Sequence, residues 1–165
     1  MKAVFLNPFI KSVSQVMESM LFEAPQRGKP FVSEESVIRG NDVAIIIGLN
    51  GMLAGQVVLS LGDEAAKSMA ARLLMEDRVA ELDEDARSAL AEIGNMVTAN
   101  ATIGLCDAGY SCDITPPSVL DGPRLQFFKM RNNKILVIPM QLSFGDVSLN
   151  LAIEETAAQV AAAAG

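Results

Sequence analysis

The sequence predicts an α+β fold in which an antiparallel sheet packs against two long helices, and three observations carry that prediction. Two stretches, one opening at Asn7 and one at Asp83, hold apolar residues at helical spacing. The stretches between and after them are short, rich in β-branched residues and punctuated by Gly, Pro, Asn and Asp, as strands and their turns are. The order is helix, strands, two helices, strands, which reads as two similar halves.

In the first helix Asn7 is a good N-cap and Pro8 falls at N1, where its missing N–H costs nothing. Phe9, Val13, Val16, Met17, Met20 and Leu21 form an apolar stripe, and Pro25 bars continuation. Residues 26–40, with Gly28 and Pro30, make a loop leading to an edge strand over Phe31–Arg39. Asp42–Leu49 is apolar on both faces and reads as a central strand. Asn50-Gly51 signals a hairpin, lengthened by Met52–Gly55, and Gln56–Leu61 returns as the paired strand.

Asp63 caps a second helix to about Met75, with Ala66, Met69, Ala70 and Leu73 inward. The third helix runs from Asp83 to Gly104. Beyond it, Pro116-Pro117 and Asp121-Gly122-Pro123 punctuate an extended segment. Arg124–Met130, Ile135–Leu142 and Val147–Glu154 then read as an antiparallel meander with turns at Arg131–Lys134 and Phe144-Gly145-Asp146. Val147, Leu149, Leu151 and Ile153 alternate with polar residues, as in a sheet with one face in the core. Pro139 points to a bulge or an edge position.

A chain of 165 residues fits a single domain spanning 1–165, with residues 156–165 as an Ala-rich tail or terminal helix. Half its residues are hydrophobic, so a folded globule is expected rather than disorder. A net charge of −7 argues against nucleic acid and against an anionic membrane surface as partners. The chain has no histidine, which removes the commonest general base, the commonest metal ligand and every His-dependent triad.

Cys106 and Cys112 read as reduced, partly buried thiols, and without histidine they make a poor zinc site. Met52, Met69, Met75 and Met140 read as core filler. The opening MKAVFLNPFIKS lacks the pattern of a signal peptide, and no apolar run nears the ~20 residues needed to cross a bilayer. The expected location is therefore the cytoplasm, and Asn100-Ala101-Thr102 matches a glycosylation sequon by accident.

The third helix carries two stripes. At ~3.6 residues per turn, Ser88, Glu92 and Asn95 fall within an arc of ~60°, while Ala86, Leu90, Ile93 and Val97 lie on roughly the opposite side. An acid and an amide at i and i+3 thus look outward side by side, with packing behind them. An ordinary solvated helix face has the same pattern, so the stripe alone does not make a site.

The run SALAEIGNMV, with Pro116-Pro117 some twenty residues later, resembles the CheC/CheX/FliY phosphatase superfamily, and most of all its CheX branch. The superfamily's pattern is Asp or Ser, three residues, Glu, two residues, Asn, about twenty-two residues, then a proline. Ser88, Glu92 and Asn95 match in register, and Pro117 comes one residue early. The NPF opening, the GxxxGQVVLSL hairpin and the PPSVLDG…LVIPMQLSFGDVSL ending are similar too, so the likeness covers nearly the whole chain. Where family members often carry Gly four residues after the Asn, this chain has Ala99, still small enough for close approach of a partner. Ser14 and Glu18 repeat the spacing in the first helix, but Leu21 stands where the Asn would be. One intact and one spoiled motif is similar to the CheX pattern, since CheC-like members carry two active helices.

The resemblance implies a CheC/CheX-like fold of two pseudo-repeated halves, and an enzyme that removes phosphate from the aspartate of a CheY-like receiver domain. A receiver brings its own Mg2+ and Lys against the phosphoryl oxygens, so no cofactor is expected on this chain. What remains is to place water in line. A carboxamide offers a donor and an acceptor without charge, which gives Asn95 the water-orienting role. Glu92 would dock the receiver Lys, with Ser88, Ala99, Pro116 and Pro117 at the partner surface. A homodimer is also implied. The alternatives are a non-catalytic adaptor that binds receivers without hydrolysis, and a flagellar switch component, which would need a further binding segment.

Overall fold

The structure is a computed structural model that describes residues 3–35, 37–39, 41–128 and 134–156. In chain order the elements are α1 (Ala3–Leu21), β1 (Gln26–Arg27), β2 (Phe31–Ser33), β3 (Val37–Arg39), β4 (Val43–Gly51) and β5 (Leu53–Leu61). There follow α2 (Asp63–Leu74), α3 (Glu84–Asp107), β6 (Cys112–Ile114), β7 (Ser118–Asp121), β8 (Gln126–Phe128), β9 (Ile135–Leu142) and β10 (Gly145–Glu155). The main sheet is antiparallel, in the order β1-β9-β10-β5-β4-β6, with β2 also on β9 and β7 also on β4.

The three helices cover one face of that sheet. The buried stripes of α1 (Phe9, Val13, Val16, Met17, Leu21) and α3 (Ala86, Leu90, Ile93, Val97, Ala101, Leu105) share a core with Ile45, Ile47, Leu59 and Leu149. Ser12 Oγ crosses from α1 to donate to the Val97 carbonyl of α3 at 2.6 Å. On the other face a small ribbon, β3 paired with β8, closes a second cluster of Ile38, Ala44, Val58, Ile135 and Ala152.

Several local expectations give way to tertiary contacts. Helix α1 starts before Asn7, so Pro8 lies inside it and not at N1. Its extra turn buries Phe5, whose ring meets Tyr110 edge-on with centroids 4.9 Å apart, and that burial offsets the backbone bond Pro8 cannot make. Pro8 in turn rests against Gly104, so that glycine makes room for α1, and α3 continues past it to Asp107. The N-cap of α2 is Gly62; Asp63 is the first helical residue and pairs with Lys67 at 2.6 Å. Asp83 does cap α3, accepting from the Ala86 N–H at 2.9 Å.

The strands show the same override. Phe31–Arg39 is not one edge strand but two, β2 on the main sheet and β3 in the ribbon. Asn50-Gly51 is no tight turn: the β4–β5 ladder ends at Leu49–Gly55, and Asn50 and Gly51 go on to pair with Asp113 and Cys112 of β6. Strand β8 leaves the expected meander, because its partner is β3 and not β9. The β9–β10 turn falls at Ser143-Phe144, with Gly145 already in the strand opposite Leu142. The turn at 131–133 and the Ala-rich end from 157 onward lie outside the described residues.

Pro139 sits in β9 without a bulge, opposite Ser148. Its carbonyl accepts from Gly28 N–H at 2.8 Å, so its nitrogen faces the same outer side, in the gap between β1 and β2. There the absent N–H costs no ladder bond. Met69 and Met140 are core residues, but Met75 takes the left-handed cap of α2 (φ 58°) and is 91% exposed. Cys106 is exposed and Cys112 half-buried, both as free thiols, and burial raises the Cys112 pKa.

Candidate active site

Helix α3 and the segment that begins at the last residue of β6 form the two walls of an open groove of about 500 Å³. Its lining is Ser88, Ala91, Glu92 and Asn95 from the helix, and Ile114, Thr115, Pro116 and Pro117 from the segment. Five of the six residues singled out from the sequence therefore meet here. Ala99 does not line it; it lies half-buried one turn on, its carbonyl accepting from Thr102 Oγ1 at 2.7 Å.

Ser88 and Glu92 are exposed and Asn95 is half-buried, while Leu90, Ile93 and Gly94 between them are buried. Among the described residues, none of the three outward side chains makes a hydrogen bond or an ion pair. The acid and the amide are thus uncommitted, held by the packing behind them and open to a visitor. Glu18 and Ser14 of α1 also face outward, but Leu21 is buried in the core. The first motif is therefore not reproduced as a second polar pair.

The proline wall is a β-bulge. Strands β6 and β7 are two pieces of one edge strand, both antiparallel to β4. Leu49 lies opposite Ile114 and Ile46 opposite Ser118, so two residues of β4 face three, Thr115 to Pro117. That one-residue slip absorbs the two prolines, which cannot donate to the ladder, and turns them into the groove. Thr115 pins the bulge by donating its N–H to the Gly48 carbonyl and accepting the Gly48 N–H on Oγ1. At one end, Arg87 of α3 forms an ion pair with Asp121 of β7 and ties the walls together.

Thr115 and Gly94 are among the contributors that were not singled out from the sequence. Thr115 gave no signal, because its partner is far away in the chain. Gly94 did give one: a glycine inside a helical pattern implies a close approach. A Cβ there would lie 2.5 Å from Cγ2 of Ile45, so α3 sits directly on β4 at this point.

No helix among the described residues is long and apolar enough to cross a membrane. Nor do those residues gather three or more His, Cys, Asp or Glu side chains that could hold a metal ion.

Comparison with known proteins agrees with this architecture. The model of a family described as chemotaxis phosphatase CheX matches residues 43–141. The chain is 30% identical over 155 residues to the CheY-P phosphatase CheX of Thermotoga maritima, covering 93% of this chain and 98% of that protein. The crystal structure of chemotaxis protein CheX from Vibrio vulnificus superposes with a TM-score of 0.82 at 26% identity, covering 91% and 99% of the two chains. A CheX-CheY-BeF3-Mg2+ complex from Borrelia burgdorferi superposes with a TM-score of 0.75 at 26% identity, covering 92% and 98%. An α+β sheet roofed by helices, with a polar pair facing a proline bulge, defines a protein of the CheC/CheX-like class. Within that class, the chain belongs to the chemotaxis phosphatase CheX family.

Proposed function

We propose that this chain hydrolyses the aspartyl phosphate of a CheY-like receiver domain at the groove between α3 and the proline bulge. The observation that carries the reading is the pairing of an uncommitted Glu92 and Asn95 on the rigid outer face of α3. It is joined by membership of a family whose relative in Thermotoga maritima is a CheY-P phosphatase.

In this reading the receiver Lys docks on the Glu92 carboxylate, which brings Asn95 over the phosphoryl group. The Asn95 carboxamide orients one water in line with the bond to be broken. Water oxygen bonds to phosphorus as the P–O bond to the receiver Asp breaks. The Asp carboxylate leaves with the bonding pair, and the proton of the water ends on orthophosphate or solvent. A loose transition state needs no strong base, which suits a chain without histidine. The Mg2+ belongs to the receiver, the reaction takes place in the cytoplasm, and two copies associate as a homodimer, a point checked by light scattering.

The test mixes the purified protein with a panel of phosphorylated receivers in Mg2+ and follows phosphate release by stopped flow. Faster release from at least one receiver is expected. Binding without faster release from any of them would establish an adaptor instead.

A further inference from the structure

We infer that Gly94 is a positioning residue: its missing side chain sets the depth at which α3 rests on β4, and so the place of Asn95 in the groove. The inference rests on the phosphatase reading and extends it to a residue that touches no substrate. A Cβ at Gly94 would lie 2.5 Å from Cγ2 of Ile45 and 3.0 Å from Cδ1 of Ile47. Both isoleucines are fully buried, so neither has space to swing into. Cγ2 hangs on the β-carbon itself, so moving it means turning a stiff χ1 or shifting the strand. With a larger residue at 94 the helix lifts.

The same strand carries the other wall, because Thr115 is bonded to Gly48, three residues after Ile45. Lifting α3 therefore moves Asn95 relative to Pro116 and Pro117 and not merely relative to solvent. Residue 94 precedes Asn95 directly, and it lies in the same turn as Glu92. Glycine is the poorest helix former after proline, yet it occupies the middle of the longest helix. A helix that only needed to be stable would take alanine at this position. Close approach explains why this one does not.

The experiment compares wild type, Gly94→Ala, Ile45→Ala and the double variant, reading kcat at saturating phospho-receiver, KM and thermal melting. Gly94→Ala is expected to lower kcat about 10- to 100-fold, as a displacement near 1 Å does. Ile45→Ala alone melts earlier but keeps kcat close to wild type. The double variant removes Cγ2 and recovers most of the lost kcat, although it is no more stable. A folded Gly94→Ala with wild-type kcat overturns the inference while leaving the phosphatase reading intact. So does a double variant that stays as slow as Gly94→Ala. Should Gly94→Ala fail to fold, the double variant must regain both fold and turnover, and failure of either overturns the inference. If wild type itself accelerates no receiver, the reading falls and the inference with it.

Discussion

Thr115 is bonded twice to Gly48: its N–H donates to the Gly48 carbonyl at 3.0 Å, and its Oγ1 accepts the Gly48 N–H at 2.9 Å. The second bond needs a hydroxyl, and it anchors the bulge that turns Pro116 and Pro117 into the groove. Thr115→Val keeps the shape and loses that acceptor, so it should cost about 1 kcal/mol of stability and raise KM for the receiver. Thr115→Ser should restore both. Urea melts and saturation curves of the two variants check this, and equal behaviour of Val and Ser would remove Oγ1 from the account.

Asn95→Ala should slow stimulated dephosphorylation by about 10²- to 10³-fold, roughly 3–4 kcal/mol of barrier. The Asn95 side chain is on the outer face of α3 and bonds to nothing among the described residues, so melting should hardly change. Stopped-flow phosphate release measures the effect, and undiminished turnover would take the water-orienting role from it.

Glu92→Ala should act mainly on association. Its carboxylate is exposed and, among the described residues, unpaired, free to meet a lysine, so KM should rise by more than kcat falls. Added salt should weaken binding of wild type more than of the variant, as screening requires. A normal saturation curve for Glu92→Ala would refute the docking role.

Glu23 ties three distant segments together at the ends of α1, α2 and β9. Its carboxylate accepts the hydroxyl and the backbone N–H of Ser143, and Arg72 donates to it at 2.8 Å while lying over the Phe144 ring. The Ser143 bonds, and then Arg72, hold its pKa below the ordinary 4.5. A depressed carboxylate stabilises the fold above its unfolded-state pKa and loses that contribution as pH falls through the folded value. Wild type should therefore lose stability below about pH 4.5 more steeply than Glu23→Gln does. Urea melts across that range read the slopes, and parallel acid limbs would contradict the linkage.

What the sequence made legible was whatever depends on near neighbours. The stripe of Leu90, Ile93 and Val97 with Glu92 and Asn95 opposite could be read because a helix wheel is a local object. So could the capping by Asp83 and the inward set of Val147, Leu149, Leu151 and Ile153. The opposite face is not left to solvent as the alternation implied: Asn150 and Ala152 are buried there, Ala152 in the second cluster beneath the ribbon. Pro8 was misplaced because the contact of Phe5 with Tyr110 joins residues far apart in the sequence, from near the start of the chain to beyond the end of α3. The ribbon of β3 and β8 was hidden for the same reason: nothing within Gln126–Phe128 says that Val37–Arg39 is its mate. In the groove, the prolines were visible, but the register slip that aims them arises only when β6 and β7 share β4.

The broken rims of the sheet have a consequence for how the folded protein behaves when concentrated. On one side β6 offers 3 residues and β7 offers 4, with two prolines between them. On the other, β1 offers 2 and β2 offers 3, separated by Gly28 and Pro30. Among the described residues, a stray extended peptide meets no long unbroken row of amide donors on either flank, so amyloid-type growth has little to template on there until the native state opens.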